Sequence, residues 1–235
     1  MSTESQMTMH KIGMLNEKSL HSALKEWYTR PNDRLEVSVD GFHVDIVRGD
    51  LLVEIQVQNF TAMKRKIARL TSHRPVRLVH PITLEKWLVK LAQDGYSHLS
   101  RRKSPKRGAI EYLFEELVSF PKMLLNPNFS LEVLFIQEEE VRRYDSTRCW
   151  RRKNWVIHER RLLRVMGQRI FKTTSDIANI IPKALTEPFT TSDLAHAIRK
   201  PAWLAQKMAY CMRNMNIISP VGKRRNAILY TRSIA

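Results

Sequence analysis

The alternation of apolar and polar residues is most regular between Gly41 and Phe60, and it predicts a β-hairpin. Arg48-Gly49-Asp50 interrupts the alternation with residues that are typical of a tight turn. Side chains two positions apart on a strand point to the same face, so each arm has one apolar face. The apolar positions of the two arms are Phe42, Val44 and Ile46, followed by Val53, Ile55 and Val57.

The opposite face of the second arm carries three polar side chains in succession, Glu54, Gln56 and Gln58. A strand this rich in Val, Ile and Leu belongs inside a sheet, where polar groups without partners are costly. Across the hairpin, Asp45 can lie beside Glu54, and two adjacent carboxylates repel each other unless a cation neutralises them. The pattern therefore indicates a site. The alternative is a structural ladder of polar side chains, hydrogen-bonded to neighbouring strands.

The segments on either side of the hairpin predict a mixed α/β core. A helix with Asn16 as its N-cap precedes the hairpin, and a basic helix follows it. Within the basic helix, Ile67 and Leu70 face inward, whereas Lys64 and Lys66 face largely outward. The predicted elements are a helix over 16–28, a strand over 35–39, the hairpin, a helix over 61–70, and strands over 76–80 and 87–91.

Two basic runs and one acidic run lie in the middle of the chain. The basic runs, 100–108 and 148–153, have loops as their plainest interpretation, and the glutamates at 138–140 are predicted to form a solvated edge after a strand. Trp150 and Trp155 bracket the second basic run and are expected to anchor the fold or to stack on bases. The elements predicted around these runs are helices over 110–118, 159–171 and 175–181 and a strand over 130–136.

The pattern of the last fifty or so residues predicts a different module, made of two helices and a hairpin with a basic tip. One helix begins at Thr191 and ends before Pro201, and a longer helix runs from Ala202 to Met215. Two apolar segments then flank the sequence Gly222-Lys223-Arg224-Arg225-Asn226. Helix, turn, helix and basic β-hairpin is the arrangement of a winged-helix domain.

The composition favours a nucleic acid as the partner. The 235 residues include 40 Lys and Arg against 23 Asp and Glu, which gives a formal charge of +17. Such an excess attracts phosphates, and the sequence has no apolar run near the ~20 residues that span a bilayer, so no membrane partner is expected. The N-terminal segment has neither signal-peptide nor transit-peptide character. Cys149 and Cys211 offer no zinc spacing and no disulfide framework, which fits a reducing cytoplasm.

The spacing of Asp45, Glu54 and Gln56 resembles the active-site motif of the PD-(D/E)XK, or restriction-endonuclease-like, nuclease superfamily. The order of helix, hairpin and helix is also similar, over about residues 14–80. The resemblance implies that Asp45 and Glu54 are catalytic ligands of Mg²⁺ or Mn²⁺. It also implies that Gln56 takes the position of the catalytic lysine and that Glu17 is the assisting glutamate of the first helix. The implied chemistry is metal-assisted hydrolysis of a phosphodiester.

Two positions depart from the pattern of the superfamily. Val44 replaces the motif proline, a replacement that is common among its members. Gln56 replaces lysine, and a neutral amide cannot stabilise developing charge, so either Lys64 or Lys66 reaches the site from the next helix or the site is inactive. For Glu17 the alternative is a solvated glutamate, because the first turn of a helix favours negative charge.

Basic residues on the helix after the hairpin, in both basic runs and in the C-terminal module are predicted to contact DNA, chiefly at its phosphates. The alternative is that these charge runs are solvated surface. The residues are Lys64, Lys66, Arg101, Arg102, Lys103, Lys106, Arg107, Arg151, Arg152, Lys207, Arg213, Lys223, Arg224 and Arg225.

Together these features predict an α/β chain with a restriction-endonuclease-like mixed central sheet flanked by helices, followed by a small winged-helix domain. The predicted boundaries are 1–158 for the nuclease-like domain, 159–187 for a helical linker and 188–235 for the winged helix. The predicted function is that of a cytoplasmic, metal-dependent DNA endonuclease. It is expected to act as a homodimer if it cuts both strands, because one core carries one site. The alternatives are a catalytically inactive DNA-binding protein or transcriptional regulator, and an adaptor that binds RNA.

Overall fold

The predicted hairpin is present in the computed structural model, which describes residues 19–92, 94–95, 97–145 and 154–233. Its arms are β2 (Phe42–Arg48) and β3 (Leu51–Ile55), which pair antiparallel with Ile46 opposite Val53. Gly49 turns the chain between them with a positive φ of 56°, a conformation that glycine adopts at little cost. The alternation of the sequence therefore fixes which side chains share a face.

Seven strands form one mixed sheet in the order β1-β2-β3-β4-β6-β7, and β5 pairs with β4. The strand β3 runs parallel to β4, whereas β1 pairs antiparallel with β2 and β5 pairs antiparallel with β4. The prediction of an α/β fold with a mixed sheet is confirmed at this level. The remaining strands of the sheet are β1 (Arg34–Val39), β4 (Val76–Leu91), β5 (His98–Lys103), β6 (Phe129–Tyr144) and β7 (Trp155–Phe171).

The helices precede and follow the strands much as the periodicity predicted. The first helix, α1, covers residues 19–28 of the described chain. The others are α2 (Phe60–Leu70), α3 (Leu113–Leu117), α4 (Thr174–Ala178), α5 (Thr191–Ile198) and α6 (Ala202–Asn214), with 3₁₀ turns at Ile110–Tyr112 and Met123–Leu125. A hairpin of β8 (Ile218–Arg224) and β9 (Ala227–Arg232) follows α6 and completes the predicted helix, helix, hairpin order. Among the described helices, none is long and apolar enough to cross a membrane.

The predicted helix over 159–171 is wrong, because these residues belong to the long strand β7 beside β6. The apolar pairs Leu162-Leu163 and Val165-Met166 satisfy a helical period over this short window as well as a strand period. Pairing with β6 decides between the two, and the predicted helical linker consequently begins with strand. The short helix predicted next is present as α4.

Two further predictions of local structure need correction. The strands expected at 76–80 and 87–91 are one continuous strand, β4, which passes through Pro81. This is tolerated because the last residue paired with β3 is Val79, two positions before the proline. The basic run expected as a loop over 100–108 begins inside the strand β5, which pairs with the second half of β4.

The described residues form two compact units. Unit 1 comprises residues 19–33, 81–109 and 134–168, and unit 2 comprises residues 34–80, 110–133 and 169–233. The core of unit 2 includes Phe60, whose ring stacks on Phe120 with centroids 5.4 Å apart. The helix α6 packs against α3 and α5 within the same unit. The division of the chain at residues 158 and 187 remains a prediction.

Candidate functional site

Two carboxylates face each other across the hairpin in unit 2. Because Ile46 pairs with Val53, the register places Asp45 opposite Glu54. Glu54 is only 2% exposed, and Asp45 is partly buried. Asp45 Oδ2 accepts a hydrogen bond of 2.9 Å from the backbone N–H of Ile55, which fixes one of its oxygens against β3. The predicted juxtaposition of Asp45 and Glu54 is therefore present.

A lysine from the next helix completes this group. Lys66 on α2 places its Nζ 2.6 Å from Glu54 Oε1 and also donates to the backbone carbonyl of His43. Lys64, two positions earlier, remains exposed. Of the two lysines that were expected as candidates to reach the site, Lys66 does so. We call Asp45, Glu54 and Lys66 the hairpin cluster.

Burial dominates the electrostatics of the hairpin cluster. It raises the pKa of Glu54 to about 7, against the lowering effect of the Lys66 ammonium and with a further raising effect of the Asp45 carboxylate. Glu54 Oε1 has no hydrogen bond of good geometry, although it lies within ion-pair distance of Lys66. Near neutral pH this carboxyl group can thus change its protonation, and a nearby cation controls the change.

Gln56 follows Glu54 but makes its contacts elsewhere. Its side-chain amide donates to the backbone carbonyl of Gln58, and its backbone N–H donates to the carbonyl of Val79 at 2.9 Å. Its own carbonyl lies 2.9 Å from His80 Nδ1. The His80 ring also packs edge-on against Phe60 at 5.0 Å, so this histidine has a structural role.

The donor set of the hairpin cluster suits a hard divalent cation. Mg²⁺ prefers oxygen ligands and is commonly held by one or two carboxylates, with waters and substrate phosphates filling the other positions. Asp45 and Glu54 provide two such groups, one with a buried oxygen that no well-oriented donor satisfies. Within the described part of the chain, no group of three or more His, Cys, Asp or Glu side chains is placed to hold a metal.

Three cations of the basic run 100–108 pair with carboxylates of unit 1. Arg101 Nε lies 2.9 Å from Glu139 Oε1, and its guanidinium stacks 4.1 Å from the centre of the Trp87 ring. Lys103 and Arg107 both pair with Glu85, at 2.8 and 3.4 Å. The remaining two predicted contacts of this run, Arg102 and Lys106, are exposed. Three of the five predicted DNA contacts in this run therefore already have carboxylate partners.

The prediction that the glutamates at 138–140 form a solvated edge is wrong. All three lie inside β6 and are buried, with Glu138 fully so. Their charges are balanced by basic side chains of the same unit. Lys86 contacts Glu138 and Glu140, Arg160 contacts Glu138, and Arg142 contacts Glu140, all at 2.5–3.0 Å. These cations, of which Lys86 and Arg160 come from distant parts of the sequence, explain why the acidic run is tolerated inside the strand.

The C-terminal elements present a mixed polar and aromatic surface. On α6 the exposed side chains include Trp203, Tyr210 and Arg213, and Lys207 lies 5.4 Å from the centre of the Trp203 ring. At the β8–β9 turn, Lys223 and Arg225 are exposed, whereas Arg224 Nη2 lies 2.5 Å from Asp193 Oδ2 on α5. The predicted contact residues of this module are thus at the surface. The other predicted site residues, Glu17, Arg151 and Arg152, lie outside the described residues.

The fold and the hairpin cluster define an α/β protein with a mixed sheet and a carboxylate pair on a partly buried hairpin. A family model described as "Domain of unknown function (DUF8091)" matches residues 18–172, so the chain belongs to this family. An uncharacterized protein of Treponema pallidum (strain Nichols) is 29% identical over 185 residues, covering 78% of this chain and 73% of that protein. No solved structure matches the chain. The matched region contains the hairpin cluster and ends one residue after β7.

Proposed function

We propose that this chain is a metal-dependent nuclease and that the hairpin cluster is its active site. The observation that carries the proposal is the 2.6 Å ion pair between Lys66 Nζ and Glu54 Oε1 beside a second carboxylate. Two acidic residues and one lysine are the groups that PD-(D/E)XK nucleases bring together. Lys66 supplies from α2 the positive charge that Gln56 lacks. The proposal therefore includes a restriction-endonuclease-like core.

Each member of the hairpin cluster has a role in this proposal. Asp45 and Glu54 hold Mg²⁺ or Mn²⁺, which supplies positive charge that stabilises a phosphodiester as it is hydrolysed. Lys66 adds a second positive charge at the same place and orients the phosphate or the attacking water. The buried surroundings of Glu54 strengthen these interactions, because electrostatic effects are larger where water is excluded.

The C-terminal elements α5, α6, β8 and β9 are proposed to form a winged-helix module that binds DNA. The support is the exposed face of α6, which offers Gln206, Tyr210 and Arg213, and the basic turn with Lys223 and Arg225. Long polar side chains on one helix face suit a groove, and cations on a hairpin tip suit phosphates. RNA is the second candidate for the same surface.

A DNA-binding protein without catalytic activity is the second candidate function. Lys66 itself favours it, because an ammonium in contact with Glu54 already neutralises the charge that a metal ion would balance. The amide of Gln56, bonded to the Gln58 carbonyl, provides no further charge. Both candidates predict DNA binding, so the binding of a divalent cation is what separates them without an assay of cleavage.

Titration of Mn²⁺ into the protein and a short DNA duplex, followed by electron paramagnetic resonance, tests the proposal. We expect the wild type to bind Mn²⁺, and Asp45→Asn and Glu54→Gln to lose this binding while retaining affinity for the duplex. Asp50→Asn is the matched control, since Asp50 lies exposed in the turn of the same hairpin. If both cluster variants bind Mn²⁺ like the wild type, the assignment of the metal ligands is wrong. DNA binding without any Mn²⁺ binding would favour the non-catalytic protein.

A further inference from the structure

A cavity of about 400 Å³ lies on one face of the strands β4, β5 and β6 within unit 1. The alternation of β5 directs Arg102 toward this cavity, whereas Arg101 and Lys103 meet their carboxylates on the other face. Lys86 on β4 and Arg142 on β6 also line it. Three strands therefore bring three cations to one concave surface.

The segment after β5 lines one side of the cavity and is tied to β4 at both ends. The backbone N–H of Ser104 donates to the carbonyl of Lys86 at 2.8 Å, and that of Gly108 donates to the carbonyl of Thr83 at 2.9 Å. Ser104 and Lys106 of this segment contribute to the lining. The fourth cation of the cavity is thus held on a segment of fixed position.

The two cations on the floor of the cavity share one carboxylate, Glu140, and Lys86 also pairs with Glu138 at 2.9 Å. Glu140 accepts from Lys86 Nζ at 2.8 Å and from Arg142 Nε at 2.7 Å. Burial raises the pKa of Glu140, but its bonds to Lys86 and Arg142 outweigh that effect and hold the pKa below the usual range. The carboxylate therefore remains charged at neutral pH and holds both cations in place.

The two cations at the rim are different. Within the described residues, neither Arg102 nor Lys106 has a carboxylate at ion-pair distance, and both side chains are exposed. Two positive charges without carboxylate partners, above a floor that is itself lined with N–H donors, suit an anion of about two charges. A phosphomonoester is close to a dianion at neutral pH and offers three acceptor oxygens. An internal phosphodiester carries only one charge.

The rest of the lining suits the organic part of a nucleotide. Leu88 and Pro105 provide apolar surface next to the cations, and the Ser104 hydroxyl can donate a hydrogen bond. A volume of about 400 Å³ lies within the ordinary range for small-molecule sites, which begins at about 300 Å³. We propose that this cavity binds the phosphomonoester of a nucleotide, carried either on the end of a nucleic-acid strand or on a free nucleoside monophosphate. The proposal does not require the hairpin cluster to be catalytic.

Fluorescence anisotropy with two otherwise identical labelled oligonucleotides tests the proposal, one with a 5′-phosphate and one with a 5′-hydroxyl. A third oligonucleotide with a 3′-phosphate shows which end is recognised. We expect the full-length protein to prefer a phosphorylated end by about tenfold or more, as one or two charge-assisted contacts require. The double variant Arg102→Gln, Lys106→Gln should lose this preference, and since both side chains are exposed without ion partners, its thermal unfolding should match the wild type.

Arg107→Gln is the matched control, because it removes a charge from the same basic run but not from the cavity lining. It should keep the preference for the phosphorylated end even if its overall affinity falls. Competition with adenosine monophosphate identifies the source of the phosphate. Displacement of the phosphorylated strand assigns the cavity to free nucleotides as well, and no displacement assigns it to strand ends. The proposal is overturned if the wild type binds neither a phosphorylated end preferentially nor the nucleotide, or if the double variant retains the preference.

Discussion

At the scale of single residues, Glu54 is an unusual group among the residues that the structure describes. It lies 2% exposed on an inner strand, with another carboxylate opposite and one ammonium within contact distance. Burial of a carboxyl group at such a position stabilises its protonated form. Glu54 is therefore a group whose charge depends on what cation lies beside it, which is the property that a metal ligand needs.

The pKa of Glu54 gives a prediction about stability. Because burial raises it from 4.5 to about 7, the folded protein holds this proton more tightly than the unfolded chain does. The stabilisation from the proton is complete below about pH 4.5 and is lost as the pH rises through 7, a change of about 3 kcal/mol. Between pH 5 and pH 8 the free energy of unfolding of the wild type, measured with denaturant, should therefore fall by about 2–3 kcal/mol relative to that of Glu54→Gln.

The control for this pH dependence is a variant that keeps Glu54. Asp50→Asn changes an exposed carboxylate in the same hairpin, so its stability should follow the wild type across the same range. A difference between wild type and Glu54→Gln that stays constant from pH 5 to pH 8 would show that Glu54 has an ordinary pKa.

Lys66 gives a prediction about catalysis. If it supplies the cation of the active site, Lys66→Met should lower the rate of DNA cleavage by about 10²–10³-fold, the usual effect of removing one stabilising donor. Lys64→Met is the control on the same helix, because Lys64 is exposed and has no contact with Glu54. Gln56→Ala should change kcat little, since its amide contacts Gln58. Equal rates for the Lys66 and Lys64 variants in single-turnover assays would contradict this role.

The residues of the two sites differ in how far the sequence could predict them. Asp45 and Glu54 follow from alternation and one turn, because strand register fixes which side chains oppose each other. The choice of Lys66 over Lys64 depends on how α2 packs on the sheet, which no local pattern contains. The cations of the cavity come from β4, β5, β6 and the segment after β5, so they form no motif in the sequence.

At the scale of elements, the segment between β5 and the following 3₁₀ turn depends on Gly108. A Cβ at this position would lie 2.4 Å from the Thr83 carbonyl oxygen and 2.9 Å from a side-chain carbon of Ile82. We therefore expect Gly108→Ala to destabilise the protein by about 1–3 kcal/mol, because the backbone of β4 cannot move aside freely. Thermal unfolding measures this. Gly222→Ala is the control, since nothing lies within 4 Å of a Cβ there, and it should have a much smaller effect.

The elements that the sequence predicted well are those with one dominant period. The hairpin alternates cleanly, and α5 carries a capping box in which Thr190 and Asp193 bond reciprocally, a signal present in the sequence. The strand β7 was missed because its apolar pairs fit both periods. The glutamates of β6 were placed at an edge because their partners, Lys86 and Arg160, lie far away in the sequence. A local sequence pattern shows the period of a strand or helix, but it does not show which distant side chains will pair with a buried charge.

At the scale of the whole molecule, the net charge is +17, and the described cations differ in whether a carboxylate balances them. Lys223 and Arg225 are exposed at the β8–β9 turn, whereas Arg224 is bound to Asp193. We expect Lys223→Gln and Arg225→Gln each to reduce the slope of log K for DNA binding against log salt by about 0.9. Arg224→Gln should reduce it less, because its charge is already balanced. Equal slopes for all three variants, measured by anisotropy at several salt concentrations, would contradict phosphate contact by the turn.

Cleavage of plasmid and linear DNA in Mg²⁺ or Mn²⁺ tests most directly whether the hairpin cluster hydrolyses phosphodiesters. The wild type and Asp50→Asn should cut, and Asp45→Asn and Glu54→Gln should not, although all four should bind DNA with similar affinity. Chelation of the metal should stop the reaction in the two active proteins. If the wild type binds DNA but leaves it intact in either metal, or if the two cluster variants cut like the wild type, the hairpin cluster is not a nuclease active site.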